Sequence, residues 1–286
     1  MIVSVEDWRA AWARLGLPSD AVPAHPDLGF RYPWKAVAIR AMSAEHRRKV
    51  ATAQDRLWAC LAKQRLTWRL GWSAGKDSTA LAALATSIGV RLHCFGEKDD
   101  LDYPAEELYL QRLSSDFGHE VDIIRPRVKL IAWLAQKGID LTSDLHGQAA
   151  ELSSEHFYGL LNEHRAKEGY TAVLMGLRAA ESKGRKMNRA MRGWLYTRHD
   201  GLSVGNPLVD WEDMDVHAFL AARNIPLLPM YLCLDVGMDA MKMRKSWWVA
   251  GGIMANLGGH YTWLRRWWPD LWEQAATVDP RVRLLS

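Results

Sequence analysis

From residue 66 onward, short apolar runs alternate with segments of helical period, and this alternation constrains the chain more than any other feature. Leu66–Trp72, Arg91–Gly96, Glu120–Ile124 and Thr171–Gly176 read as strands. Between them Ser78–Ser87, Pro104–Asp116, Pro126–Lys137 and Gly147–Lys167 read as helices, with Pro104 at a first helical position. Strands separated by helices require right-handed crossovers. The expectation is therefore an α/β fold, a mostly parallel twisted sheet with helices on both faces. Trp194–Val204, interrupted by His199-Asp200-Gly201, fits either a hairpin or a strand entered from a loop.

Helical additions flank this unit. Residues 1–64 form an N-terminal helical extension, 65–235 the α/β domain and 236–286 a C-terminal helical segment. Ser4 opens a helix from Val5 to Leu15, residues 18–35 read as a proline-rich loop, and Ser43 opens a helix to Lys63. Asp210 reads as the cap of a helix from Trp211 to Arg223, and Met238–Met254 and Tyr261–Ala276 read as helices.

Composition narrows the setting. With 286 residues, 49% of them hydrophobic, the chain can bury a full core. No apolar run approaches the ~20 residues of a membrane span, and the N-terminus does not read as a secretory signal. Cys60, Cys94 and Cys233 are too scattered for a disulfide framework or a zinc site, and Cys94 reads as a packed thiol in a buried strand. A cytoplasmic protein without a membrane partner is the expectation. The net charge is only +4, yet basic residues cluster at 46–49, at Lys183-Gly184-Arg185-Lys186 and at Arg265-Arg266. Solvated faces explain such clusters most simply, and a nucleic-acid footprint is the sharper alternative. Fifteen tryptophans, including the pairs 247–248 and 267–268, read first as apolar payload and second as stacking surfaces for bases.

The chemistry concentrates in Ser73-Ala74-Gly75-Lys76-Asp77-Ser78, between a strand and a helix. Glycine lets backbone N–H groups approach a phosphate, and the helix N-terminus adds its dipole. Ser73 and Ser78 offer hydroxyl donors and Lys76 a compact positive charge. Asp77 would repel phosphate, so it suits Mg²⁺ or loop orientation. A plain turn and cap would explain Gly75 and Asp77 but not Lys76 between two serines. The spacing is not that of a Walker loop.

This loop resembles the PP-loop of the adenine nucleotide alpha hydrolase superfamily, with Ala74 in place of the first of two glycines. Asp100-Leu101-Asp102-Tyr103-Pro104 with Glu106, Gly176-Leu177-Arg178-Ala179-Ala180-Glu181-Ser182, and Asn206-Pro207-Leu208-Val209-Asp210-Trp211 followed by Ile225-Pro226 and Tyr231 are similar, in order and spacing, to segments of phosphoadenosine phosphosulfate reductases and the ATP sulfurylase small subunit. The resemblance covers residues 66–235. It implies ATP or a related adenine nucleotide held by Ser73, Ala74, Gly75, Lys76, Asp77, Ser78, Gly176, Arg178 and Glu181. It also implies Mg²⁺ on Asp77 with Asp100 or Asp102, and Lys76, Asp77, Arg178 and Arg185 acting at the α-phosphate or on an anionic acceptor.

One departure weighs on the reaction. The reductases carry a C-terminal Glu-Cys-Gly-x-His segment, and no cysteine follows Cys233 here. The expectation is therefore a transferase or hydrolase that cleaves at the α-phosphate with pyrophosphate release. The acceptor is left open, as is a partner subunit. Alternatives are a nucleic-acid modification protein of the phosphorothioation type, a sulfonucleotide-binding protein, and a nucleotide-binding module without catalysis. Other readings of single residues stand beside these: Glu181 pairing with Arg185 one turn on, and acids at 100 and 102 serving a helix N-terminus.

Overall fold

The computed structural model describes residues 1–99, 102–129, 132, 133, 136, 159–235, 238–243, 259–278, 280 and 283. Among them six strands form one sheet: β1 Trp68–Gly71, β2 His93–Glu97, β3 Glu120–Ile124, β4 Ala172–Leu174, β5 Leu195–Thr197 and β6 Ser203–Gly205. Their spatial order is β3-β2-β1-β4-β6-β5. All neighbours pair in parallel except β5 and β6, which form an antiparallel hairpin at the edge. The fold class expected from the alternation is thus the one observed.

The strands show why helices cover both faces. Side chains alternate across a strand. Leu70, Cys94, Ala172 and Leu174 point into the larger core, with Ala80, Leu81 and Leu84 of α4 (Lys76–Ser87). Phe95, Val173 and Val204 point the other way, into a smaller cluster that receives Leu160 and Leu161 of α6 (Gly159–Glu168). Between these in the chain, α5 spans Glu106–Phe117 and follows β2. Helix α4 is alanine-rich and buried along most of its length, as suits a helix inserted between the sheet and further layers.

The N-terminal extension holds α1 (Val5–Arg14), α2 (Trp34–Met42) and α3 (Ala44–Leu61). Ser4 and Ser43 cap α1 and α3, accepting from the N–H groups of Asp7 and His46 at 3.1 Å each. Helix α2 falls partly in the expected loop. Pro33 precedes it and supplies no capping side chain, so the local start signal is missing. After β4 come α7 (Lys183–Arg192) and α8 (Asp213–Ala222). Asp210 does not cap α8. Glu212 does, in a reciprocal capping box with Asp215, while Asp210 instead bridges Arg56 and Arg189. The C-terminal helix expected over 261–276 is two, α9 (Gly259–Trp267) and α10 (Pro269–Val278). Pro269 forces the break, because its ring removes a helical N–H and clashes with the preceding turn. Parts of the helices expected over 126–137, 147–167 and 238–254 lie outside the described residues. No helix among the described residues is long and apolar enough to cross a membrane.

The tryptophans act chiefly as core. Trp8, Trp12, Trp72, Trp211, Trp263, Trp267, Trp268 and Trp272 are buried. Several spend the indole N–H on a defined acceptor: Trp8 on Leu227 O (2.9 Å), Trp72 on Thr79 Oγ1 (3.0 Å) and Trp263 on Cys233 O (2.9 Å). The pair at 267–268 therefore presents no open stacking surface, and the pair at 247–248 lies outside the described residues.

Asp215 ties the extension to α8. Its wholly buried carboxylate accepts from Arg40 Nε and Lys49 Nζ at 2.7 Å each and lies 3.3 Å from His46 Nδ1. Burial alone would raise its pKa, but His46, Arg40 and Lys49 outweigh burial and hold it far below the usual range. Asp215→Ala should cost about 2–4 kcal/mol of unfolding free energy, somewhat less than a fully buried pair because Arg40 and Lys49 reach solvent. A depressed carboxyl stabilises above its unfolded pKa and loses that contribution as pH falls toward its folded value. In chemical denaturation the stability gap between the two proteins should hold above about pH 4 and narrow below it.

Candidate functional site

The chain runs from β1 to β2 and β3 on one side of the sheet, then returns to place β4 on the other side of β1. The carboxyl ends of β1 and β4 therefore flank a topological switch point, where open α/β sheets place their ligands. The loop Ser73–Ser78 leaves β1 there, and Gly176–Glu181 leaves β4 beside it.

Two glycines let these backbones meet. A Cβ on Gly96 would lie 2.5 Å from the carbonyl oxygen of Trp72. A Cβ on Gly176 would lie 2.7–2.8 Å from the backbone of Asp77 and Ser78. The loop is thus clamped from β2 and from β4. Ala74, at φ 59°, occupies the left-handed region that glycine adopts at little cost. Gly75 is the N-cap of α4 and brings no side-chain cap. The first N–H groups of an α-helix have no intrahelical partner, so this terminus suits an anion. Lys76 N–H is one donor already engaged, by Tyr231 Oη at 3.0 Å. Ser73 is exposed, and its hydroxyl lies 3.2 Å from that of Ser78, which also donates to Gly75 O at 3.0 Å.

Behind the loop four charged side chains lock together. Lys76 Nζ lies 2.9 Å from Asp77 Oδ2 and 3.5 Å from Asp213 Oδ1. Arg178 gives Nε to Asp77 Oδ1 and one terminal nitrogen to Asp213 Oδ1, both at 2.6 Å, and another to Trp211 O at 3.4 Å. Both cationic side chains are fully buried, whereas Asp77 and Asp213 stay about one-fifth exposed. Burial opposes ionisation of Asp77, but Lys76 and Arg178 prevail and lower its pKa. Two cations against two carboxylates make the group neutral, as a low-dielectric site requires. His217 lies close by, its Nδ1 bonded to Tyr32. Burial first and Lys76 second push it well below its ordinary pKa, so its ring is neutral.

The expected residues divide accordingly. The structure brings Ser73, Ala74, Gly75, Lys76, Asp77, Ser78, Gly176 and Arg178 together at the switch point. Arg178 faces inward, onto Asp77 and Asp213. Glu181 accepts from Arg178 N–H at 2.8 Å and pairs with Arg185 one turn on, so it braces the turn after β4. Asp102 accepts from Asp99 N–H at 3.0 Å and lines a separate cavity of about 390 Å³ with Lys98, Tyr103 and Glu106. None of the loop residues lines that cavity. Asp100 lies outside the described residues. Among those described, no group of three or more His, Cys, Asp or Glu side chains could hold a metal ion. Mg²⁺ does not require one, since it commonly takes one or two carboxylates with phosphate oxygens and water. Cys233 is buried, its thiol hydrogen-bonded to Pro229 O, and burial raises its pKa well above that of an ordinary thiol.

Asp213 and Tyr231 complete the site without having been singled out as site residues. Tyr231 stood only within a matching segment. Asp213 is one of several acids between residues 210 and 215, and nothing local distinguishes it.

A model of the phosphoadenosine phosphosulfate reductase domain matches residues 68–233. Similar solved structures include the phosphoadenylyl-sulfate (PAPS) reductase from Candida auris, 15% identical with a TM-score of 0.48, covering 65% of this chain and 90% of that one. NMN synthetase from Francisella tularensis is 16% identical with a TM-score of 0.46, covering 84% and 95%. NAD+ synthetase from Burkholderia pseudomallei is 15% identical with a TM-score of 0.40, covering 91% and 97%. A search of curated proteins finds no match.

The clamp makes a sharp prediction. Gly176→Ala should destabilise the protein by about 1–3 kcal/mol, because the new methyl meets backbone rather than a flexible side chain. Ala74→Gly should change stability by less than about 1 kcal/mol, since relief of the left-handed strain is offset by a lost buried methyl and a freer unfolded chain. Denaturant melts of the two variants against wild type check both.

Proposed function

The chain belongs to the phosphoadenosine phosphosulfate reductase domain family, and from that premise we propose that it binds ATP or a related adenine nucleotide at the switch point and cleaves or transfers at the α-phosphate, releasing pyrophosphate. The observation that carries the reading is the loop itself: a helix start whose N-cap Gly75 brings no capping side chain, clamped between Gly96 and Gly176 and backed by Lys76.

In this reading the β- and γ-phosphates sit on the N–H groups of residues 74, 75, 77 and 78, and the hydroxyls of Ser73 and Ser78 orient them. Lys76 and Arg178 place positive potential behind the loop. Asp77 and Asp213 keep those cations ionised and fixed, so little reorganisation is needed when charge develops on the leaving pyrophosphate. Mg²⁺ carried in on the nucleotide supplies further charge neutralisation. The partly exposed carboxylates of Asp77 and Asp213 are the residues that would hold its water shell, with Asp102 facing the neighbouring cavity. Arg185, partly exposed at the start of α7 and paired with Glu181, is the residue that would meet an anionic acceptor in this reading. In-line attack on the α-phosphorus then asks chiefly for positioning. The buried thiol of Cys233 supports chemistry that needs no cysteine nucleophile.

Two measurements test this. Incubation with ATP and Mg²⁺, followed by separation of products, should give pyrophosphate with AMP or an adenylylated product. Accumulation of ADP and phosphate would instead mean cleavage at the γ-phosphate. Lys76→Gln should weaken equilibrium ATP binding by about 1.5–3 kcal/mol, roughly tenfold or more, while Cys233→Ala leaves pyrophosphate release intact. Unchanged ATP affinity in Lys76→Gln would remove the loop from the assignment.

A further inference from the structure

Helix α7 carries Lys183, Arg185, Lys186, Arg189 and Arg192 and no acid. Arg185 and Arg189 are balanced by Glu181 and Asp210. Lys183 and Lys186 have no ion-pair partner among the described residues, and Arg192 lies over the ring of Tyr196 at 5.6 Å. The outward stripe at 183, 186, 187, 190 and 191 follows helical spacing, and all five positions are exposed. It mixes cations with Met187 and Met191, which are 63% and 77% exposed. The neighbouring surface is the edge strand β5. Tyr196 of β5 is half-buried against the smaller cluster, whereas Trp194, just before the strand, packs against the larger core with Arg56 over its ring at 5.9 Å. Ser182, which caps α7, follows directly on the turn that carries Arg178 to the switch point.

We infer that the outer face of α7, continued by β5, docks single-stranded nucleic acid. The uncompensated charges of Lys183, Lys186 and Arg192 are complementary to a phosphodiester backbone. The methionines and the ring of Tyr196 under Arg192 match a strand whose base faces are open, as in single-strand sites where stacking and cations are interleaved. A duplex hides its base faces and would leave that apolar surface uncovered. An anionic bilayer would demand a broader apolar face than two methionines and an alanine. The inference goes beyond the proposed function by naming a macromolecular partner, and it is read out without nucleotide turnover.

The test measures binding of fluorescent single-stranded DNA and RNA oligonucleotides of one sequence, and of the matching duplex, over a range of salt. A single strand of either sugar should bind more tightly than the duplex. Lys186→Gln/Arg192→Gln should weaken it about tenfold or more at low salt and flatten the slope of log K against log salt by about 1.4. Met187→Ser/Met191→Ser should weaken it without changing that slope. Lys63→Gln/Arg65→Gln removes equal charge at the opposite end of the sheet and should leave binding unchanged. These side chains are exposed, so all the variants should keep the wild-type melting temperature and ATP affinity. Absence of single-strand binding, tighter binding of the duplex, or equal losses in the 186/192 and 63/65 variants would each overturn the inference. Strand binding by a protein that fails to bind ATP would uphold it and remove the proposed function instead.

Discussion

Two buried cations, Lys76 and Arg178, held between the carboxylates of Asp77 and Asp213, are the constraint on which the rest of this site depends. Either cation alone at that depth would carry a desolvation cost of several kcal/mol. Together with the two acids they form a neutral group that joins three segments: the first turn of α4, the turn after β4 and the first turn of α8. The switch point thereby becomes one rigid unit. The cations lie on the buried side, and the two carboxylates reach solvent. An incoming polyphosphate would meet donors that are already oriented.

The surrounding structure serves that unit. The glycines at 96 and 176 permit backbone contacts that no side chain could tolerate, and Tyr231 holds the Lys76 N–H from the far side. Large indoles fill the joints where helices meet, with several of their N–H groups spent on carbonyls or a threonine hydroxyl. Asp215 binds the N-terminal helices to α8, the same helix that supplies Asp213 and His217. The extension is therefore coupled by packing and charge to the element that completes the site.

Much of this was legible in the residues, and the boundary is physical. Caps at Ser4 and Ser43, the strand at 120–124 and the parallel alternation rest on local or short-period signals, and these appear as expected. The loop's place between β1 and α4 was legible because its glycine, serines and helix-starting residues are adjacent in the sequence. Helix α2 was not, for want of a capping side chain after Pro33, and α5 starts two residues late because Ala105 takes a left-handed conformation behind Pro104. Asp213 was invisible for a deeper reason. Its role depends on docking against Arg178, 35 residues away, and acids at 210, 212, 213 and 215 look alike until α8 packs. Arg178 stood among the expected residues, but its inward direction, onto Asp77 and Asp213, is a property of burial that no motif reports.

The central claim concerns where a nucleotide sits, and a structure of the protein with a non-hydrolysable α,β-methylene analogue of ATP tests it most directly. The account predicts β- and γ-phosphate oxygens within hydrogen-bond distance of the backbone of residues 74, 75, 77 and 78, with the α-phosphate turned toward the β4 turn. A nucleotide seated in the cavity beside Asp102 and Glu106, with no phosphate on the loop, would contradict it.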